Sequence, residues 1–269
     1  MDQFYTKKNT AEKCYKILSE KIDLGQFDIL LEPSAGTGSF FKLLPTETRL
    51  GLDIDPKCNG IIKKDYLEFE PDPDKSYIVM GNPPFGKNSS MAVKFFVHSK
   101  FAEVIAFILP RTFKRISIQN KLPKKFHMIF NEDLPLDPCC FTPKMSAKCS
   151  FQIWIKSKIN RNIVKMDKVH HDFTFLKLGK KDENHQPTPP DNADFALKAY
   201  GSNCGEIIDD AEKMTNLRPK SWHWIKSNIN VHKLKKNMKK IDYGVSKDTV
   251  RQDSIGQQEL IYLYKNLFT

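Results

Sequence analysis

The chain has 269 residues, a formal net charge of +11 and a sequence pI near 9.2. It is long enough for one large core and a smaller appended unit, and no apolar run approaches the roughly 20 residues needed to cross a bilayer. The charge makes a polyanion a natural partner, and the polar opening "MDQFYTKKNT" lacks the apolar core of a signal peptide, so a cytosolic or nuclear setting is expected.

In chain order, residues 9–23 place Ala11, Cys14, Ile17 and Leu18 on one face, with Asn9 and Thr10 as cap candidates, which predicts an amphipathic helix. "FDILLEP" (27–33) predicts a buried strand ended by proline, and "SAGTGSFFKLL" a glycine-rich turn running into a helix. Further strands are expected at 49–55, 61–69, 76–80, 103–110, 124–130 and 149–156, with a helix at 89–102. This alternation predicts an α/β fold, a doubly wound and mainly parallel seven-stranded sheet. The last two strands have no helix between them and so form a hairpin at one edge.

Near residue 157 the texture changes. Two strand-like runs flank a Pro-rich, charged loop at 180–192, followed by a basic helix at 231–240 and an apolar helix near 255–267. Residues 1–157 are therefore expected to form the main domain, and 158–269 a small α+β subdomain. The six cysteines show no CxxC spacing, and His170–His171 reads as a solvated pair, so no metal is expected.

"LLEPSAGTGSF" (30–40) lies at the carboxyl end of the first sheet strand, where a doubly wound fold binds its ligand. Gly36 and Gly38 allow a tight turn and a close backbone approach, but the run is not a triphosphate-binding loop. Asp53, with Asp55 second, ends the next strand where a ribose diol is held. Asp65, after the third strand, suits the exocyclic amine of an adenine ring. "GNPPFG" (81–86) ends the fourth strand with two stiffening prolines.

Taken together, "FYTK" (4–7), "EPSAGTGSF" (32–40), "DIDP" (53–56), "DYL" (65–67) and "NPPF" (82–85) resemble the S-adenosylmethionine-dependent adenine-N6 amino-methyltransferases of the gamma class, over roughly residues 1–157. The resemblance implies a Rossmann-like methyltransferase fold with S-adenosylmethionine as cofactor. It places Tyr5 and Thr6 at the methionine end and Glu32 at the amino group. Ala35 and Gly36 would line the cofactor, Asp53 would hold the ribose, and Ile54 would pack on the adenine. Asp65 would bind the adenine amine, with Tyr66 beside it. The catalytic residues would be Asn82, Pro83, Pro84 and Phe85.

The chemistry of that motif can be stated. An aromatic amine is a poor nucleophile because its lone pair is delocalised into the ring. The Asn82 side-chain oxygen and the Pro83 carbonyl can accept its two hydrogens, while Phe85 offers a stacking face. Ser in place of Asn82 would fit cytosine-N4 methylation better.

Arg111, Phe113 and Lys114 follow the fifth strand on the ligand edge and are expected to contact nucleic acid. Phe141 is expected to hold a flipped base. Trp222 and Trp224, among Arg218, Lys220 and Lys226, read as a nucleic-acid surface. Lys235 and Lys236 do the same on a helix that also carries Lys233, Lys239 and Lys240. The expected substrate is adenine in DNA, then RNA. A glutamine amide in protein and a non-catalytic partner role stand behind these.

Overall fold

The computed structural model describes residues 4–268. The chain divides into two compact units between Ile163 and Val164.

The first unit runs β1 (Tyr5–Thr6), α1 (Lys8–Lys21), β2 (Ile29–Glu32), β3 (Arg49–Asp53), β4 (Ile62–Lys63), β5 (Tyr77–Gly81), α2 (Ser90–His98), β6 (Val104–Pro110), α3 (Ile116–Gln119), β7 (Phe126–Asp133), β8 (Phe141–Thr142) and β9 (Cys149–Lys156). Seven of these strands form one sheet in the order β4-β3-β2-β5-β6-β9-β7. Neighbours from β4 to β6 are parallel, and β9 runs antiparallel to both β6 and β7. The expected edge hairpin is present, with β9 inserted between β6 and β7. Every residue of β5 and β6 is buried, which is why both read as continuous apolar runs.

Three local expectations change. Helix α1 starts at Lys8, ahead of the Asn9–Thr10 cap candidates, because Lys7 is held extended by its N–H bond to the Cys140 carbonyl at 2.9 Å. Lys7 then accepts from Thr10 and Ala11 through its own carbonyl. The glycine-rich turn leads only to a 3-10 turn at Phe41–Leu43, because Leu44 must be extended before Pro45. The third strand shrinks to Ile62–Lys63, since Asp65 caps a second 3-10 turn through Leu67 N–H at 2.9 Å.

The second unit holds β10 (Phe173–Phe175), β11 (Phe195–Lys198), β12 (Ile207–Ile208), α4 (Ala211–Thr215), β13 (Trp222–Ser227), α5 (Val231–Met238) and α6 (Gln257–Phe268). Its antiparallel sheet has the order β10-β13-β11-β12. The two strands flanking the charged loop are therefore not paired with each other: β13 lies between them. Leu234 and Met238 of α5 and Tyr264 of α6 pack with Phe173, Phe195 and Ile225. Among the described residues, no helix is long and apolar enough to cross a membrane.

Candidate active site

The carboxyl ends of β2, β3 and β5 are neighbours in the sheet, so the loops that follow them converge. Gly36 and Gly38 have φ of +48° and +77°, and a Cβ on Gly36 would come within 2.9 Å of the Tyr5 ring. Gly36 N–H donates to Asp53 Oδ2 at 2.7 Å, and Asp55 N–H donates to Asp53 Oδ1 at 2.7 Å. Asp53 thus ties the first loop to the end of β3 before any ligand arrives.

Glu32 ends β2 and is buried. Its Oε2 accepts from Phe41 N–H at 2.6 Å. Burial pushes its carboxyl well above the usual range. The Phe41 bond opposes that rise, and the nearby Asp53 charge adds to it. Burial and the neighbouring Asp53 carboxylate both favour the protonated form of the side chain.

Asn82 follows β5. Its Nδ2 donates to the Phe4 carbonyl at 3.4 Å, while its Oδ1 is buried with no hydrogen-bond partner. The hydroxyl of Ser34 donates to the Asn82 carbonyl at 3.1 Å, and that of Ser39 to the Thr6 carbonyl at 2.6 Å. Thr6 Oγ1 is a second buried atom without a partner. Tyr5, Thr6, Glu32, Ser34, Ala35 and Asn82 line one cavity of about 30 Å³, room for a single small polar group. Sequence reasoning missed Phe4, Ser34 and Ser39 as positioning groups. The only signal was their place inside the two quoted motifs.

Pro83 is buried, and Pro84 and Phe85 are half-buried, with Phe85 packed against the main core. The Phe85 carbonyl accepts from Met91 and Ala92 at 3.1 and 3.3 Å, fastening the motif to the start of α2. Beyond Asp53, Ile54 is 65% exposed, a free apolar face, and Asp65 is also exposed. Tyr66 is corrected: its side chain is 1% exposed, bonds to Ser99 at 2.7 Å and packs on Phe95 and His98. Only its backbone is left for a ligand.

Several residues expected on a nucleic-acid surface belong elsewhere. Phe113 is fully buried against Phe96, and Trp224 is 2% exposed with its indole N–H on the Pro219 carbonyl. Phe141 is 3% exposed and lies in β8, whose pairing with β1 sets it opposite Thr6. Each is apolar enough to be drawn into a core, so none offers a face for stacking. Arg111 and Lys114 both pair with Asp133, at 3.4 and 3.2 Å. Lys235 pairs with Asp209. Lys236 is exposed, and Trp222 is half-buried with the Lys198 ammonium 5.6 Å from its ring centre.

All six cysteines are free thiols. Ligand atoms of His170, His171 and Asp172 lie within 4.8 Å of one another. All three already have partners: His170 Nδ1 accepts from Asp172 N–H at 3.1 Å, Asp172 Oδ2 accepts from the Tyr264 hydroxyl at 2.7 Å, and His171 Nε2 lies 3.0 Å from Asp172 Oδ1.

No protein-family model matches the chain, and no curated protein matches it. Among solved structures, the 23S rRNA methyltransferase ErmE is similar over 59% of this chain and 71% of its own, at TM-score 0.44 and 15% identity. A proposed RNA methyltransferase from Pyrococcus horikoshii is similar over 58% and 87%, at TM-score 0.44 and 18% identity. A dimethyladenosine transferase from Plasmodium falciparum is similar over 58% and 64%, at TM-score 0.40 and 18% identity.

Proposed function

We propose that the first unit binds S-adenosylmethionine and methylates the N6 amine of adenine in nucleic acid, DNA before RNA. The observation that carries this is the Asn82 side-chain oxygen, buried beside the cavity with no donor. An unpaired buried acceptor costs about 1–3 kcal/mol, so a site that keeps one is built for a donor that arrives later.

The residues fit the cofactor at each part. The small polar cavity beside Glu32 and Thr6 has room for one polar group of an amino-acid end, and Thr6 Oγ1 lacks a partner there. Asp53 stands at the end of β3 to take a ribose diol, and the exposed Ile54 and Asp65 continue the line toward an adenine. The cofactor supplies an activated methyl group on a sulfonium.

The chain's own residues do the rest. Asn82 Oδ1 and the Pro83 carbonyl accept the two hydrogens of the target amine and draw its nitrogen toward sp³ geometry. Two prolines and the Phe85–α2 bonds keep that arrangement still, so little reorganisation is left for the reaction. The half-buried Phe85 ring gives the base a face, and a base in a duplex must be flipped to reach it. The second unit adds affinity for phosphates through the exposed Lys233, Lys236, Lys239 and Lys240.

The test is cofactor with a labelled methyl group, offered to DNA, RNA and protein pools, followed by mass spectrometry of nucleosides and residues. N6-methyladenine is the expected product, and its polymer of origin decides between DNA and RNA. Label on glutamine would assign the motif to a protein amide instead. No label anywhere, with cofactor bound, would leave a non-catalytic partner.

A further inference from the structure

A second concavity lies at the opposite edge of the same sheet. It measures about 430 Å³ and is lined by Lys100, Phe101, Pro123, Lys124, Lys125 and Lys156, among others. These residues sit at the amino ends of β6 and β7 and the carboxyl end of the antiparallel β9. The candidate active site sits at the carboxyl ends of β2 and β5. The two therefore lie at opposite ends of the sheet strands.

The four lysines are exposed, and none pairs with a carboxylate among the described residues. Lys156 alone has a side-chain partner, the Phe101 carbonyl at 3.0 Å. The walls are sewn together: Ser157 N–H donates to the Lys125 carbonyl at 2.8 Å and Arg161 N–H to the Lys124 carbonyl at 2.9 Å. The Arg161 guanidinium also donates to the Leu122 carbonyl at 3.1 Å. Like charges held together on a fixed frame repel one another, and an anionic ligand relieves that repulsion.

We propose that this groove is a second nucleic-acid contact, which takes the phosphates of a single strand on its lysine rim and a base on its apolar floor. The half-buried Phe101 and Pro123 supply flat apolar surface between the ammonium groups, and cationic rims around stacking platforms suit single strands. A lipid surface fits less well, because the apolar residues are recessed rather than protruding. An acidic peptide would leave the apolar floor unused.

The proposal stands apart from the methyl-transfer reading, because binding is read without cofactor. Lys100, Lys124 and Lys125 are changed together to Gln, and Lys156 is left to hold Phe101. A control loses the same charge from the exposed Lys16, Lys94 and Lys213. A fluorescent 20-nucleotide single strand, as DNA and as RNA, is titrated into each full-length protein at several salt concentrations. The groove variant is expected to lose about 2 from the slope of log K against log salt, three contacts at about 0.7 each. A threefold rise in salt then costs the wild type about tenfold more affinity than the variant. The control keeps the wild-type slope, and both variants keep the wild-type melting temperature. An unchanged slope in the groove variant would overturn the proposal. So would a groove that selects anionic phosphatidylserine vesicles or poly-glutamate over the oligonucleotide.

Discussion

The Asn82 side-chain nitrogen donates to the Phe4 carbonyl at 3.4 Å, and the amide oxygen of the same side chain is buried with no partner. A residue at the start of the chain thereby orients one that lies 78 positions later. The bond ties the "FYT" segment to the "NPPF" segment.

Asn82→Ala is expected to abolish methylation while leaving cofactor affinity nearly unchanged, because in the proposed function the lost oxygen serves the target amine. Asp53→Ala does the opposite first. It removes a charged hydrogen-bond acceptor from the ligand, about 1.5–3 kcal/mol, and frees Gly36 N–H and Asp55 N–H as well. Calorimetric titration of cofactor into both variants measures the difference. Equal loss of affinity would undo this division of roles.

Glu32 gives a pH dependence with a defined sign. In the unfolded chain it loses its proton near pH 4.3 or so, whereas burial keeps the native side chain protonated to higher pH. Between those two values the native state binds more protons, so stability falls as pH rises, by at most about 1.4 kcal/mol per unit. The change Glu32→Gln keeps an acceptor for Phe41 N–H and removes that slope. Urea unfolding of both proteins from pH 4 to pH 8 tests it, and parallel curves would refute it.

If the cofactor's ammonium pairs with Glu32, the carboxyl must ionise on binding. Cofactor binding by the wild type is then expected to release protons near neutral pH, and binding by Glu32→Gln to release fewer. Calorimetry in two buffers of different ionisation enthalpy counts them. Identical counts in the two proteins would place the ammonium elsewhere.

Tyr66 separates a core role from a ligand role. Ser99 donates its hydroxyl hydrogen to the Phe95 carbonyl at 2.8 Å, so the Tyr66 hydroxyl is the donor in their 2.7 Å bond. Tyr66→Phe should cost about 1 kcal/mol of stability with cofactor affinity unchanged. Denaturation midpoints and cofactor titration, read side by side, decide it. A loss of affinity without loss of stability would return Tyr66 to the site.

Phe113→Ala should likewise act on the fold, costing about 3–5 kcal/mol for a buried aromatic, because the ring fills the core against Phe96. Oligonucleotide affinity of the molecules that remain folded should not change. Chemical denaturation and a binding titration below the transition give both numbers.

The local pattern of the chain already determined the alternation of strands and helices, the antiparallel pair at the sheet edge and the order of the candidate ligand groups. Those features rest on apolar periodicity and on Gly and Pro, which act within a few residues. Tertiary structure decided what depends on partners far along the chain. Phe85 stays half-buried at the edge of the main core whereas Phe113, Phe141 and Trp224 are fully enclosed, although all four are aromatic residues near motifs or charges. An aromatic ring gains from burial wherever the sheet leaves room, and that room is set by strands distant in sequence. The buried bond from Phe41 N–H to Glu32, nine residues earlier, has no local signature either. The lysine groove was equally hidden. Its members come from three separate segments, and only the placing of β9 between β6 and β7 brings them to one rim.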